Sequence, residues 1–251
     1  MTEQNKNAPN EEYDEYITRK YQGQIEDGNL KIQLGYKLSG DPEVTNLQFL
    51  EKFDIKALTL VISNEMNVKF RSITIKELTL EKRILYGIDK QEQRWNWNVN
   101  DLELENLEVL ELQDINLVNN QLYNLAKFKK LHTLDVSDNK VNLSNIHSAT
   151  SLTRLAMQGC GLMNVDQISS LVNLKELDIS QNRDLDLSSL YQVRSLIKLS
   201  MTSCGLTNID QITQLINLEV LNLASNQLQT IKRTKISKIS KRTKYQLQQV
   251  N

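Results

Sequence analysis

Apolar residues fall on a fixed frame through the second half of this chain. The frame LxxLxLxxN begins at Leu131, with Leu134, Val136 and Asn139, and restarts at Leu152, Leu174, Leu196 and Leu218, at spacings of 21, 22, 22 and 22 residues. Leu107, Leu110 and Leu112 form a sixth unit 24 residues before Leu131, with Ile115 where the Asn would stand. Weaker echoes are Ile55-Leu58-Leu60 and Ile75-Leu78-Leu80. The alternation LxL is the period-two signature of a strand, so each unit predicts one short strand with its leucines on one side and the intervening residues toward solvent. After the strand, apolar residues fall at nearly every third position, as in Cys160, Leu162, Val165, Ile168 and Leu171, which suits a 3₁₀-like or loosely helical return. No unit could bury its leucine ridge alone, so the units must stack into a solenoid.

A longer likeness lies inside the array. Residues 152 to 182 match residues 196 to 226 at 15 of 31 positions, which points to duplication of a 44-residue block. The Asn that closes the frame (Asn139, Asn182, Asn226) has an amide able to donate to and accept from backbone left open where a strand ends, a structural role. Cys160 and Cys204 take that place in two units, where a thiol packs as a small apolar group and bonds weakly to the same backbone. Two solenoid turns separate them by about 10 Å, beyond the reach of a disulfide.

These residues resemble the 22-residue subclass of leucine-rich repeats found in the regulatory subunit of protein phosphatase 1 and in bacterial internalins. The resemblance is strong from about residue 100 to 231 and loose from about 25 to 99, where Val44, Leu47, Leu50 and Phe53 keep only the spacing of three. It implies an α/β solenoid, a right-handed leucine-rich-repeat horseshoe with a parallel sheet on the concave face and short 3₁₀ or helical returns on the convex face, which binds protein partners on the concave side. The chain then divides into a polar, acidic segment 1–24, partly disordered or capping, degenerate repeats 25–106, regular repeats 107–231 and a basic cap or tail 232–251.

Composition narrows the class. The 251 residues are 39% apolar with only two Pro and eight Gly, which fits neither a disordered nor a collagen-like chain. The amino terminus has no apolar core of a signal peptide, and no run approaches a membrane span, so a cytoplasmic or nuclear protein is expected. Asn142-Leu143-Ser144 matches a glycosylation triplet that matters only in a secreted protein and arises readily by chance.

The positions between the leucines mark a candidate binding surface: Glu108, Glu111, Asp114, His132, Asp135, Asp138, Arg154, Gln158, Glu176, Asp178, Lys198, Ser200 and Asn222. Its early part is acidic. Six acids (Asp101, Glu103, Glu105, Glu108, Glu111, Asp114) lie between Trp95 and Ala126 with no Lys or Arg among them. Such a stripe is a platform for a basic partner or simply a solvated face. Trp95 and Trp97 alternate and share a face, as interface anchors or as core fillers. Residues 232–251 carry seven basic residues and no acid, leaving 23 basic against 31 acidic residues in the rest. A capping extension, an interaction tail and nucleic-acid binding are the readings of that segment, in falling order.

Reactive constellations are missing. The sequence holds no GxGxxG, P-loop, GxSxG, HExxH or CxxC, and nothing pairs its two histidines, His132 and His147, as ligands. No cofactor, metal or small-molecule substrate is expected, and the chain reads as a protein-interaction module rather than an enzyme. The alternatives are a phosphatase-type regulatory subunit, suggested by repeat subclass alone, and an adaptor tethered to anionic lipid or nucleic acid through the basic tail.

Overall fold

In the computed structural model the described residues are 11–33, 47–62, 70–72, 74–82, 98–228 and 244–246. One parallel sheet of ten strands runs through them: β1 (Asn29–Gln33), β2 (Ala57–Ile62), β4 (Glu77–Lys82), β6 (Val109–Glu111), β7 (Thr133–Asp135), β8 (Arg154–Ala156), β9 (Glu176–Asp178), β10 (Lys198–Ser200), β11 (Val220–Asn222) and β12 (Lys244–Gln246). Between them in the chain, β3 (Phe70–Ser72) and β5 (Leu102–Leu104) pair in parallel as a separate two-stranded sheet.

The register explains why the pattern folds this way. Leu30, Leu58, Leu78, Leu110, Leu134, Leu155, Leu177, Leu199 and Leu221 are aligned strand to strand, and none is more than 3% exposed. Each such leucine contributes about 2 kcal/mol of burial, but only because its neighbours above and below supply the other walls. The returns carry the second set of buried residues. Cys160, Leu162, Val165, Ile168 and Leu171 are all buried around the 3₁₀ turn Asp166–Ser170, and the turns Leu190–Gln192 and Asp210–Gln214 stack beyond it. Short strands, 3₁₀ returns and little helix make a leucine-rich-repeat horseshoe.

The amino-terminal part is built differently. The helix α1 (Glu11–Gln22) packs its buried Tyr21 against Phe49, ring centroids 5.4 Å apart, and Phe49 meets Phe53 edge-on at 6.2 Å. The leucine frame did not announce that helix. Strands β2 and β4, raised from the weak echoes, run six residues each and pair over their full length. Trp95, Trp97, Val44 and the basic run 232–243 lie outside the described residues. Among the described residues no helix is long and apolar enough to cross a membrane.

Candidate protein-interaction face

The strand ends fix the geometry of the face. After each short strand one residue turns left-handed: Asp114 (φ 49°), Asp138 (58°), Gly159 (64°), Gln181 (59°), Ser203 (58°) and Ser225 (58°). The next position holds the Asn or Cys, except after Asp114, where Ile115 stands. Asn139 donates from its amide to the carbonyls of Leu112, Val136 and Ser137 at 2.7, 2.9 and 3.0 Å. Its Oδ1 accepts from the N–H groups of Ile115 and Leu117 at 3.1 and 2.8 Å. Asn182 and Asn226 repeat the arrangement, joining their own strand end to Met157 and Met201 of the preceding turn. In the alternate turns Cys160 Sγ donates to Val136 O at 3.3 Å and Cys204 Sγ to Ile179 O at 3.4 Å. Burial pushes the Cys160 thiol up to about 11 and moves Cys204 in the same direction, so both stay protonated, free and buried. Asn and Cys alternate, which makes two turns the structural period behind the 44-residue duplication.

Two columns of side chains flank the buried leucines on the solvent side. By register, one runs Val109, Thr133, Arg154, Glu176, Lys198, Val220 and the other Glu111, Asp135, Ala156, Asp178, Ser200, Asn222. Glu108 and His132 stand one step before the strands, where His132 N–H donates to Glu108 O at 3.0 Å. Asp114 and Asp138 sit instead in the left-handed turns at the rim, Asp138 accepting from Gln113 Nε2 at 3.2 Å. Gln158 lies at the same rim, its N–H bonded to Ser137 Oγ at 3.2 Å.

Several charges of the expected acidic stripe are already satisfied. Asp101, Glu103 and Glu105 belong to the segment of β5, in the small sheet, so the stripe is divided between two sheets and begins on the large one only at Glu108. Asp101 closes a capping box with Asn98, and Glu105 lies 3.6 Å from Arg71. Lys76 reaches Glu108 at 2.9 Å, and that hydrogen bond holds the Glu108 carboxyl below its usual range. Glu111 accepts from Thr79 Oγ1 at 3.1 Å. Lys76, Thr79 and Arg71 come from units 32 or more residues upstream, which a local count of charge could not reveal. His132 Nε2 stands 3.9 Å from Glu108, while His147 is exposed on a return. Among the described residues no group of three or more His, Cys, Asp or Glu side chains could hold a metal ion.

A shallow groove of about 490 Å³ runs along the face from β7 to β11. It gathers Asp135, Arg154, Gln158, Glu176, Asp178, Lys198, Ser200 and Asn222, but not Glu108, Glu111, Asp114, His132 or Asp138. Lys198 pairs with Glu176 at 2.5 Å across its floor. Ala156 and Val220 also line it, and sequence reasoning passed over both. Their signal was available: a small or apolar residue at an outward position of the frame widens the face or adds an apolar contact.

No protein-family model matches the chain, and no curated protein matches it in sequence. Solved structures do match its shape. An internalin (inlF) from Listeria monocytogenes aligns over 94% of this chain and 73% of its own, with TM-score 0.61 and 16% identity. A leucine-rich-repeat protein from Leptospira interrogans aligns over 92% of this chain, with TM-score 0.57 and 21% identity; this chain spans 57% of that protein's length. At such identities the likeness shows the fold. Together with the aligned leucine column and the short 3₁₀ returns, it gives this chain a leucine-rich-repeat fold.

Proposed function

We propose that the chain is a protein-interaction module that binds its partner on the strand face of the large sheet, in the groove between β7 and β11. The observation that carries this reading is the groove itself, about 490 Å³ and open to solvent, with mixed charge, small residues and the exposed Val220 over a floor held fixed by the leucine column. A rigid, contiguous surface of this kind presents side chains with little ordering cost on binding, and affinity accumulates over several repeats with a few dominating contacts. The mixture of Lys198–Glu176, Arg154 and the aspartates favours a polar protein surface over an apolar ligand. No observation favours the phosphatase-type or tail-tethered alternatives over this one.

The test fills the groove from its solvent side. With a partner captured by the full chain, Ala156→Trp and Ser200→Trp are expected to weaken binding at least about tenfold, whereas Ser169→Trp and Ser188→Trp on the exposed returns leave it unchanged. Circular dichroism checks that each variant stays folded. The opposite pattern, with loss from the returns and none from the groove, overturns the proposal.

A further inference from the structure

Within the groove the charges are unevenly matched. Lys198 pairs with Glu176 on the neighbouring strand, and outside the groove Lys76 pairs with Glu108 and Lys31 with Glu81 two strands away. Among the described residues Asp135, Asp178 and Arg154 take part in no ion pair. Asp135 and Asp178 flank Ala156 directly in the strand register. Each turns one oxygen onto its own backbone, Asp135 Oδ1 accepting from Ser137 N–H and Asp178 Oδ1 from Ser180 N–H, both at 2.9 Å. That bond orients the carboxylate and leaves the second oxygen for a ligand. Asn222, two strands further on, holds the same turn to Ala224 N–H at 3.2 Å, with Ser200 between it and Asp178.

From Asp135 to Asn222 the column therefore alternates an oriented acceptor with a small residue, and those acceptors recur every second strand, at about 9.6 Å. An extended polyproline-type segment laid along the solenoid axis repeats every three residues, at about 9.3 Å. The two pitches agree closely over the length of the groove. Accepting the groove as the binding face proposed above, we infer that its occupant is an extended protein segment bearing lysine or arginine at every third residue. Two successive cations meet Asp135 and Asp178, with the third toward Asn222. Arg154, beside the same column, selects for a carboxylate or a neutral residue between those cations and against a continuous basic run.

The probe is a labelled peptide with Lys-Ala-Glu triplets, compared with a peptide of the same composition whose lysines stand at every second position, both titrated against the full chain by fluorescence anisotropy. The triplet peptide is expected to bind about tenfold more tightly, and Asp135→Asn with Asp178→Asn to abolish that preference. Asparagine keeps the bond to the backbone, as Asn222 does natively, so the fold is preserved. Asp184→Asn with Asp186→Asn, exposed on a return, should leave the preference intact. Equal binding of the two peptides, or a preference that survives the Asp135/Asp178 pair, overturns the inference. A captured partner that is lost on Ala156→Trp but indifferent to the two aspartates would leave the binding face standing and remove the triplet segment alone.

Discussion

Strands β2 and β4 hold together over six residues each, whereas every strand from β6 to β11 has three. The longer strands satisfy their backbone by pairing along their length. The shorter ones stop early and hand their last carbonyls and the following N–H groups to Asn139, Asn182 and Asn226, helped by the two thiols between. The returns differ in the same way: β3 and β5 pair as strands in the first region, and 3₁₀ turns stack in the second. One leucine column crosses both regions, so the core does not require the asparagines. They hold the ends of the short strands, and the groove lies along those strands.

Asn182→Ala separates the two regions most strongly. It leaves the buried Leu162 N–H without its 2.9 Å acceptor and three carbonyls without their donor, so a loss of about 4 kcal/mol is expected in urea unfolding. Thr59→Ala on β2, where the ladder needs no side chain, should lose under about 1 kcal/mol. Equal losses would refute the division. Gly159→Ala is next, at about 2 kcal/mol, because φ is +64° and the new Cβ would meet Asp138 Oδ1 at 2.5 Å. Gly161→Ala, with φ +69° and no atom within 4 Å, should cost about half as much. Adding Asp138→Ala should recover part of the first loss and none of the second.

The thiol of Cys160 gives a pH signature of the same region. Its folded value of about 11 lies above the ordinary 9.0, so its contribution is fully present below pH 9 and is lost as pH rises through 11. Over that window the native chain should lose on the order of 2 kcal/mol more than Cys160→Ala, measured by chemical unfolding at each pH. A parallel decline of the two chains would contradict the buried thiol. The smallest effect belongs to the first region's surface: Lys76→Ala, which breaks an exposed ion pair at 2.9 Å, should change stability by less than about 0.5 kcal/mol.

The leucine frame was legible because burial acts at a fixed spacing, and the same spacing placed the asparagines, the thiols and most of the groove's lining. What escaped reading depends on contacts between distant positions. Helix α1 is held by Tyr21 on Phe49, an aromatic contact with no period to announce it. Lys76 and Arg71 neutralise Glu108 and Glu105 from earlier turns, so a stretch without basic residues was not a surface without them. Asp114 and Asp138, which count as outward positions in the frame, are drawn into left-handed turns at the rim. Ala156 draws no notice as a residue, yet its small side chain opens the space between Asp135 and Asp178.

On the proposed function, a protein partner sits on the strand face. Photo-crosslinking tests it most directly, with a photoreactive residue replacing Ala156 or Asn222 in the groove, and Ser169 or Ser188 on the returns. Partner adducts are expected from the first pair and none from the second. Adducts confined to the second pair would contradict it.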